Sequence, residues 1–117
     1  MITKFYGVNI SSRNPEQLVK FYNEKLEVPI LQKDKDSYDG TELGFIEGSP
    51  VIIIWDENRW GKSSEGAVNL VFRCDDLDKT FEALKAKGVN LEPPITAVWG
   101  GKELPFSDPD GNKVLLL

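Results

Sequence analysis

Apolar positions along this chain follow two rhythms, and the rhythms alternate. Tyr6, Val8 and Ile10 recur with a period of two, as do Val68, Leu70, Phe72 and Cys74. That spacing puts each set on one face of a strand. Leu18, Val19, Tyr22 and Leu26 recur at helical spacing, and so do Leu77, Phe81 and Leu84. The pattern predicts a strand over about residues 4–11, a helix, and three shorter strands near 30–33, 41–46 and 51–55. The same series then repeats as a strand near 68–74, a helix, and strands near 91–97, 101–106 and 113–117. Both helices carry start signals. Asn14-Pro15-Glu16 supplies an N-cap and a proline at the first helical position, and Asp75-Asp76 opens the second helix. Lys87-Gly88 gives that second helix a basic last turn and a C-cap glycine.

Two short words support an internal repeat. Gly7-Val8-Asn9-Ile10-Ser11-Ser12-Arg13 is echoed by Ala67-Val68-Asn69-Leu70-Val71-Phe72-Arg73, at an offset of 60. Gly40-Thr41-Glu42-Leu43-Gly44-Phe45 is echoed by Gly101-Lys102-Glu103-Leu104-Pro105-Phe106, at an offset of 61. The expected architecture is α+β, two βαβββ modules in a single domain. Module 1 takes about residues 1–56, a polar linker 57–66, and module 2 about 67–117.

The chain closes on Phe106-Ser107-Asp108-Pro109-Asp110-Gly111-Asn112-Lys113-Val114-Leu115-Leu116-Leu117. This F-x-D-P-D-G-N turn running into an apolar strand resembles the closing hairpin of the glyoxalase / bleomycin-resistance / extradiol-dioxygenase superfamily, the vicinal-oxygen-chelate proteins. The βαβββ–βαβββ order is also that family's, so the resemblance spans the chain. It implies curved mixed sheets around a concave cleft, helices outside, and pairing as a homodimer.

The family's metalloenzymes hold a divalent ion with His, Gln and Glu, whereas this chain has no histidine. Carried over, the ligand positions fall on Gly7, on the 51–55 strand, on Asn69 and on Leu115. Glycine, aliphatic groups, asparagine and leucine make no tight site for zinc, iron, nickel or manganese, which take imidazoles and carboxylates. Glyoxalase-type and dioxygenase chemistry both need that ion. The expectation is therefore no metal, no other cofactor and no assigned catalytic residue.

Bulk composition narrows the partners. A net charge of −5 offers no basic patch for nucleic acid. It leans towards a neutral or cationic ligand. No run of about eighteen apolar residues suggests a membrane span, and Met1-Ile2-Thr3-Lys4 is not signal-like, so a cytoplasmic protein is expected. A single cysteine, Cys74, rules out an internal disulfide.

Strand parity then nominates a ligand site. With Val8, Ile10, Leu43, Phe45, Leu70, Leu104 and Phe106 turned to the helices, Asn9, Glu42, Asn69, Arg73 and Glu103 turn to the cleft. A two-residue turn at Gly48-Ser49 would set Trp55 on the face of Glu42. Trp60 and Trp99, near sheet ends, complete an aromatic set suited to a planar or cationic ligand by stacking and cation–π attraction. Leu115, at the terminal ligand position, joins them as an apolar wall. A strand glutamate is as often a solvated outer residue, and a tryptophan as often core. The leading reading is a metal-independent small-molecule-binding protein, for drug or toxin sequestration. The alternatives are a lyase, isomerase or transferase with a non-standard or no metal site, and an interaction module with a vestigial cleft.

Overall fold

A computed structural model of the chain describes residues 1, 3, 5–33, 40–61, 68–97 and 100–117, with Trp60 described by its backbone only. The chain divides into two compact units, Met1–Glu65 and Gly66–Leu117. Unit 1 holds β1 (Gly7–Ser12), α1 (Pro15–Lys20) running into a π-helical turn (Phe21–Lys25), β2 (Ile30–Lys33), β3 (Thr41–Leu43), β4 (Val51–Asp56) and α2 (Glu57–Trp60). Its sheet order is β1-β4-β3-β2, with β1 parallel to β4 and the other pairs antiparallel. Unit 2 holds β5 (Asn69–Phe72), α3 (Leu77–Ala86), β6 (Ile95–Thr96), β7 (Lys102–Ser107) and β8 (Lys113–Leu116). Its order is β5-β8-β7-β6, with β5 parallel to β8. The fold is α+β, with one strand order used twice.

Each sheet buries chiefly one face, with Val51 at the start of β4 buried on the other. In unit 1, Ile10, Leu43, Ile52 and Ile54 pack with Leu18 and Tyr22, and Leu18, Tyr22, Leu43 and Ile54 have no exposed surface. In unit 2, Leu70, Leu104, Phe106, Val114 and Leu116 are buried with Phe81 and Leu84. Burial of each such side chain stabilises the fold by about 1.5–3 kcal/mol. The helix starts are those the sequence signals. Asn14 accepts from the Gln17 N–H and Asp76 from the Lys79 N–H, at 3.2 and 3.0 Å. Removing either cap by alanine substitution is expected to lower urea-measured stability by about 1 kcal/mol. Losses of only about a tenth of that at both sites would show that other contacts set the helix starts.

The strands differ from the pattern where side-chain chemistry competes. β1 begins at Gly7 rather than near residue 4, and Lys4 lies outside the described residues. Tyr6 is 51% exposed instead of facing the helix. β3 stops at Leu43, so Phe45 and Ile46 are 63% and 67% exposed in the loop that follows. That loop is not a two-residue hairpin. The Ser49 N–H donates to the Ile46 carbonyl, closing a turn around Gly48 at φ 87°. Val68, expected on the helix side, precedes β5 and is 58% exposed. β6 is only Ile95–Thr96, since Pro93-Pro94 lack the N–H groups a ladder needs. The polar stretch after β4 is partly ordered. Asp56 caps α2, Arg13 pairs with Glu57 at 3.0 Å, and the Asn58 side chain donates to the Arg13 carbonyl.

The two repeat words cannot both be counterparts. The ladders set Asn9 beside Ile53 and Ile53 beside Glu42, but Asn69 beside Lys113 and Lys113 beside Ser107. Matching Asn9 to Asn69 therefore matches Glu42 to Ser107. The helix N-caps, Asn14 and Asp76, fix the offset at 62 instead. Gly7 then corresponds to Asn69, Asn9 to Val71, and Glu42 to Pro105. Both words are displaced by two residues. An even displacement keeps every side chain on its face but moves it along the strand.

Candidate functional site

The side chains nominated from strand parity stand on the sheet faces turned away from the buried ones. In unit 1, Asn9, Ile53 and Glu42 lie side by side across β1, β4 and β3, and Trp55 pairs with Ser11 two residues along. Asn9 is exposed, while Ile53, Glu42 and Trp55 are half-buried. Glu42 and Trp55 share a face even though the hairpin turn differs from the expected one. The true register is shifted by two residues, which preserves parity. Trp60 is the last residue of α2.

Glu42 has a partner from beyond its own strand. The Tyr6 hydroxyl donates to Glu42 Oε1 at 2.7 Å. The Tyr6 carbonyl accepts from the Val51 N–H at 3.0 Å, which fixes the tyrosine at the entry to β1. Two strand spacings, about 10 Å, separate β1 from β3, so the phenol reaches over β4 to the carboxylate. The hydrogen bond to Glu42 raises the phenol's pKa above its ordinary value, with desolvation and the negative charge adding to it. Tyr6 therefore stays protonated, and a donor, at neutral pH. Sequence parity placed Tyr6 with Val8 and Ile10. The available sign was chemical: a polar-tipped aromatic at a strand entry can leave the pleat.

In unit 2, a groove of about 400 Å³ opens on the corresponding face. Its walls include Asn69, Glu103, Pro105, Ser107, Lys113 and Leu115. Glu103 and Leu115 are half-buried, and Asn69 and Lys113 exposed. The groove is thus of mixed charge rather than purely acidic. The ligand set read from strand parity left out Lys113 and Ser107, although their alternation with Val114 and Phe106 puts them on this face. Arg73 lies one residue past β5 and is exposed, outside the groove wall. Trp99 lies outside the described residues, as do Lys62, Ser63 and Ser64 of the linker.

The residues at the family's ligand positions do not fit a transition-metal ion. Gly7 packs so closely on β4 that a Cβ there would collide with the Val51 carbonyl, so no side chain can project from that point. On β4 the same face carries Val51, Ile53 and Trp55, and Leu115 supplies only methyl groups. Asn69 alone is a polar side chain. Among the described residues, no group of three His, Cys, Asp or Glu side chains comes together.

A family model described as Glyoxalase/Bleomycin resistance protein/Dioxygenase superfamily matches residues 6–116. The chain belongs to this superfamily. It is 28% identical to the uncharacterized protein YetH of Bacillus subtilis (strain 168), covering 99% of this chain and 98% of the relative. Among solved structures it resembles TnmS3, an antibiotic binding protein from Streptomyces sp. CB03234, with a TM-score of 0.79 at 23% identity over 98% of this chain and 94% of that one. It also resembles lactoylglutathione lyase from Agrobacterium tumefaciens, with a TM-score of 0.74 at 16% identity over 98% and 92%. At such identities the likeness is one of fold, and this fold serves both a binder and an enzyme. Among the described residues, no helix is long and apolar enough to cross a membrane.

Proposed function

We propose that this superfamily member binds a small organic molecule on the sheet faces turned away from its helices, without the family's metal ion, and serves to sequester it. The observation that carries this reading is the groove of unit 2. It is an open groove of about 400 Å³ that brings apolar walls, Pro105 and Leu115, and polar side chains, Asn69, Glu103 and Lys113, to one sheet face. A cationic or aromatic ligand suits the net charge of −5 and the carboxylates. The antibiotic-binding role of a structural neighbour is in keeping with sequestration. Asn9, Glu42 and Trp55 would form the ligand surface of unit 1, and pairing of two copies is part of the same proposal.

A thermal-shift screen of drug-like aromatic and cationic compounds tests it. A ligand present at a hundred times its Kd stabilises the fold by about 2.7 kcal/mol. For a domain of this size that is a rise in Tm on the order of 10 °C. The double variant Asn69→Ala, Glu103→Gln is expected to keep its own Tm and lose most of the ligand-induced rise. Full retention of that rise would move the site away from the groove, and a screen with turnover of any compound would favour an enzyme.

A further inference from the structure

The unit 1 sheet carries a carboxylate held by an aromatic hydroxyl. Glu42 is half-buried on the open face of β3, and its one hydrogen-bond partner among the described residues is the Tyr6 hydroxyl. No lysine or arginine among those residues pairs with it. An ionised carboxylate has about four acceptor positions on its two oxygens, and the phenol uses one of them. The bond also fixes the carboxylate's direction, because Tyr6 is itself tied to β4 through the Val51 N–H. Trp55 lies diagonally across from Glu42, one residue pair beyond Ile53 on the same face. Diagonal neighbours on adjacent strands are about 7–8 Å apart, within reach of an indole ring. Tyr6 is tied at the Val51 end of β4, and Trp55 stands near the other end of that strand on the face that carries Glu42.

We propose that Tyr6, Glu42 and Trp55 form a subsite for an organic cation, in which Tyr6 positions the Glu42 carboxylate and the two rings receive the planar or alkyl body that carries the charge. This rests on the small-molecule reading of the chain, narrows its cationic or aromatic ligand to a cation at this sheet, and adds Tyr6, a residue that strand parity had assigned to the core side. A carboxylate with spare acceptor positions selects a protonated amine, amidinium or guanidinium over a neutral isostere. The two rings add cation–π attraction. Tyr6 acts through Glu42 and is a positioning residue.

The test uses benzamidine, a planar cation at neutral pH, against benzamide, its neutral isostere, with binding followed by amide and indole N–H chemical shifts of the whole chain. Benzamidine is expected to shift signals of Glu42, Ile53 and Trp55 in a saturable manner, and benzamide to shift them weakly or not at all. Glu42→Gln is expected to abolish the preference for the cation. Tyr6→Phe keeps the ring and removes the hydroxyl. It is expected to raise the Kd for benzamidine about three- to tenfold, the range for loss of one hydrogen bond, with benzamide unaffected. A purely structural role for Tyr6 would change both compounds alike. Equal binding of the two compounds, or shifts confined to Asn69, Glu103 and Leu115, would overturn the subsite and leave the small-molecule reading standing. No response to either compound would also overturn it, and the wider thermal-shift screen then decides the broader reading separately.

Discussion

Replacing Gly7 by alanine is expected to lower the stability of the chain by about 3 kcal/mol, the upper end of what overpacking costs. The cause is backbone proximity. A Cβ at position 7 meets the Val51 carbonyl oxygen at far less than contact distance, with the carbonyl carbon and the amide nitrogen of Val51 both 2.9 Å away. None of these is the end of a flexible side chain. Relief therefore requires β1 to move off β4, which weakens the ladder that runs from Gly7–Val51 to Ser12–Asp56. Urea unfolding compares the two proteins directly, and a loss under about 1 kcal/mol would mean the strands accommodate a methyl group cheaply. Gly7→His is expected to destabilise at least as much and to gain no metal affinity. The family's first ligand position is closed here by main chain, and not simply lacking the right side chain.

Asp108→Ala should be comparably severe, at about 3 kcal/mol. Asp108 is 5% exposed and organises the turn between β7 and β8. Its Oδ1 accepts from the N–H groups of Asp110 and Asn112, at 2.9 and 2.8 Å, and its Oδ2 accepts from the Asn112 side chain at 2.7 Å. The Asp108 N–H bonds to the Asn112 carbonyl, and the Gly111 N–H to the Asp108 carbonyl, both at 3.0 Å. Pro109 enters the turn with its φ preset, and Gly111 at φ 87° leaves it in the left-handed region. Alanine removes every side-chain acceptor and frees the register of β8, the central strand between β5 and β7. Asp108→Asn keeps a carbonyl oxygen for the two main-chain donors, so it should lose less than alanine does. Equal stability of wild type and Asp108→Ala in urea would show that Pro109 and Gly111 suffice to make the turn.

These two sites also show what could be read from the residues. The D-P-D-G-N turn, the Asn14 and Asp76 caps and the inward faces of Ile10, Leu43, Leu70, Leu104 and Phe106 are local chemistry, and local chemistry is legible in a sequence. The closeness of β1 to β4 at Gly7 is not, because it depends on a partner 44 residues away in the register. The same limit explains the repeat. Its two words are alike, yet the ladders displace both by two residues, so Glu42 corresponds to Pro105 and Glu103 has no matching carboxylate in unit 1. Faces survived that error because the displacement is even. Rows did not, and so the carboxylates of the two sheets sit in different surroundings: Glu42 beneath Tyr6, Glu103 in a groove with Lys113. Tyr6 was misplaced for a related reason. Alternation holds only inside a ladder, and Tyr6 stands one residue before it begins.

The central claim is that this chain keeps the superfamily's fold and binds its ligand without the superfamily's metal. Metal content by plasma mass spectrometry tests it most directly, on protein purified without chelator or affinity tag and paired with thermal shifts on adding zinc, nickel, manganese or iron(II). The expected result is far less than one metal ion per chain and an unchanged Tm with each ion. A stoichiometric metal whose removal by EDTA lowers the Tm would contradict the claim and place an enzyme first among the readings of this chain.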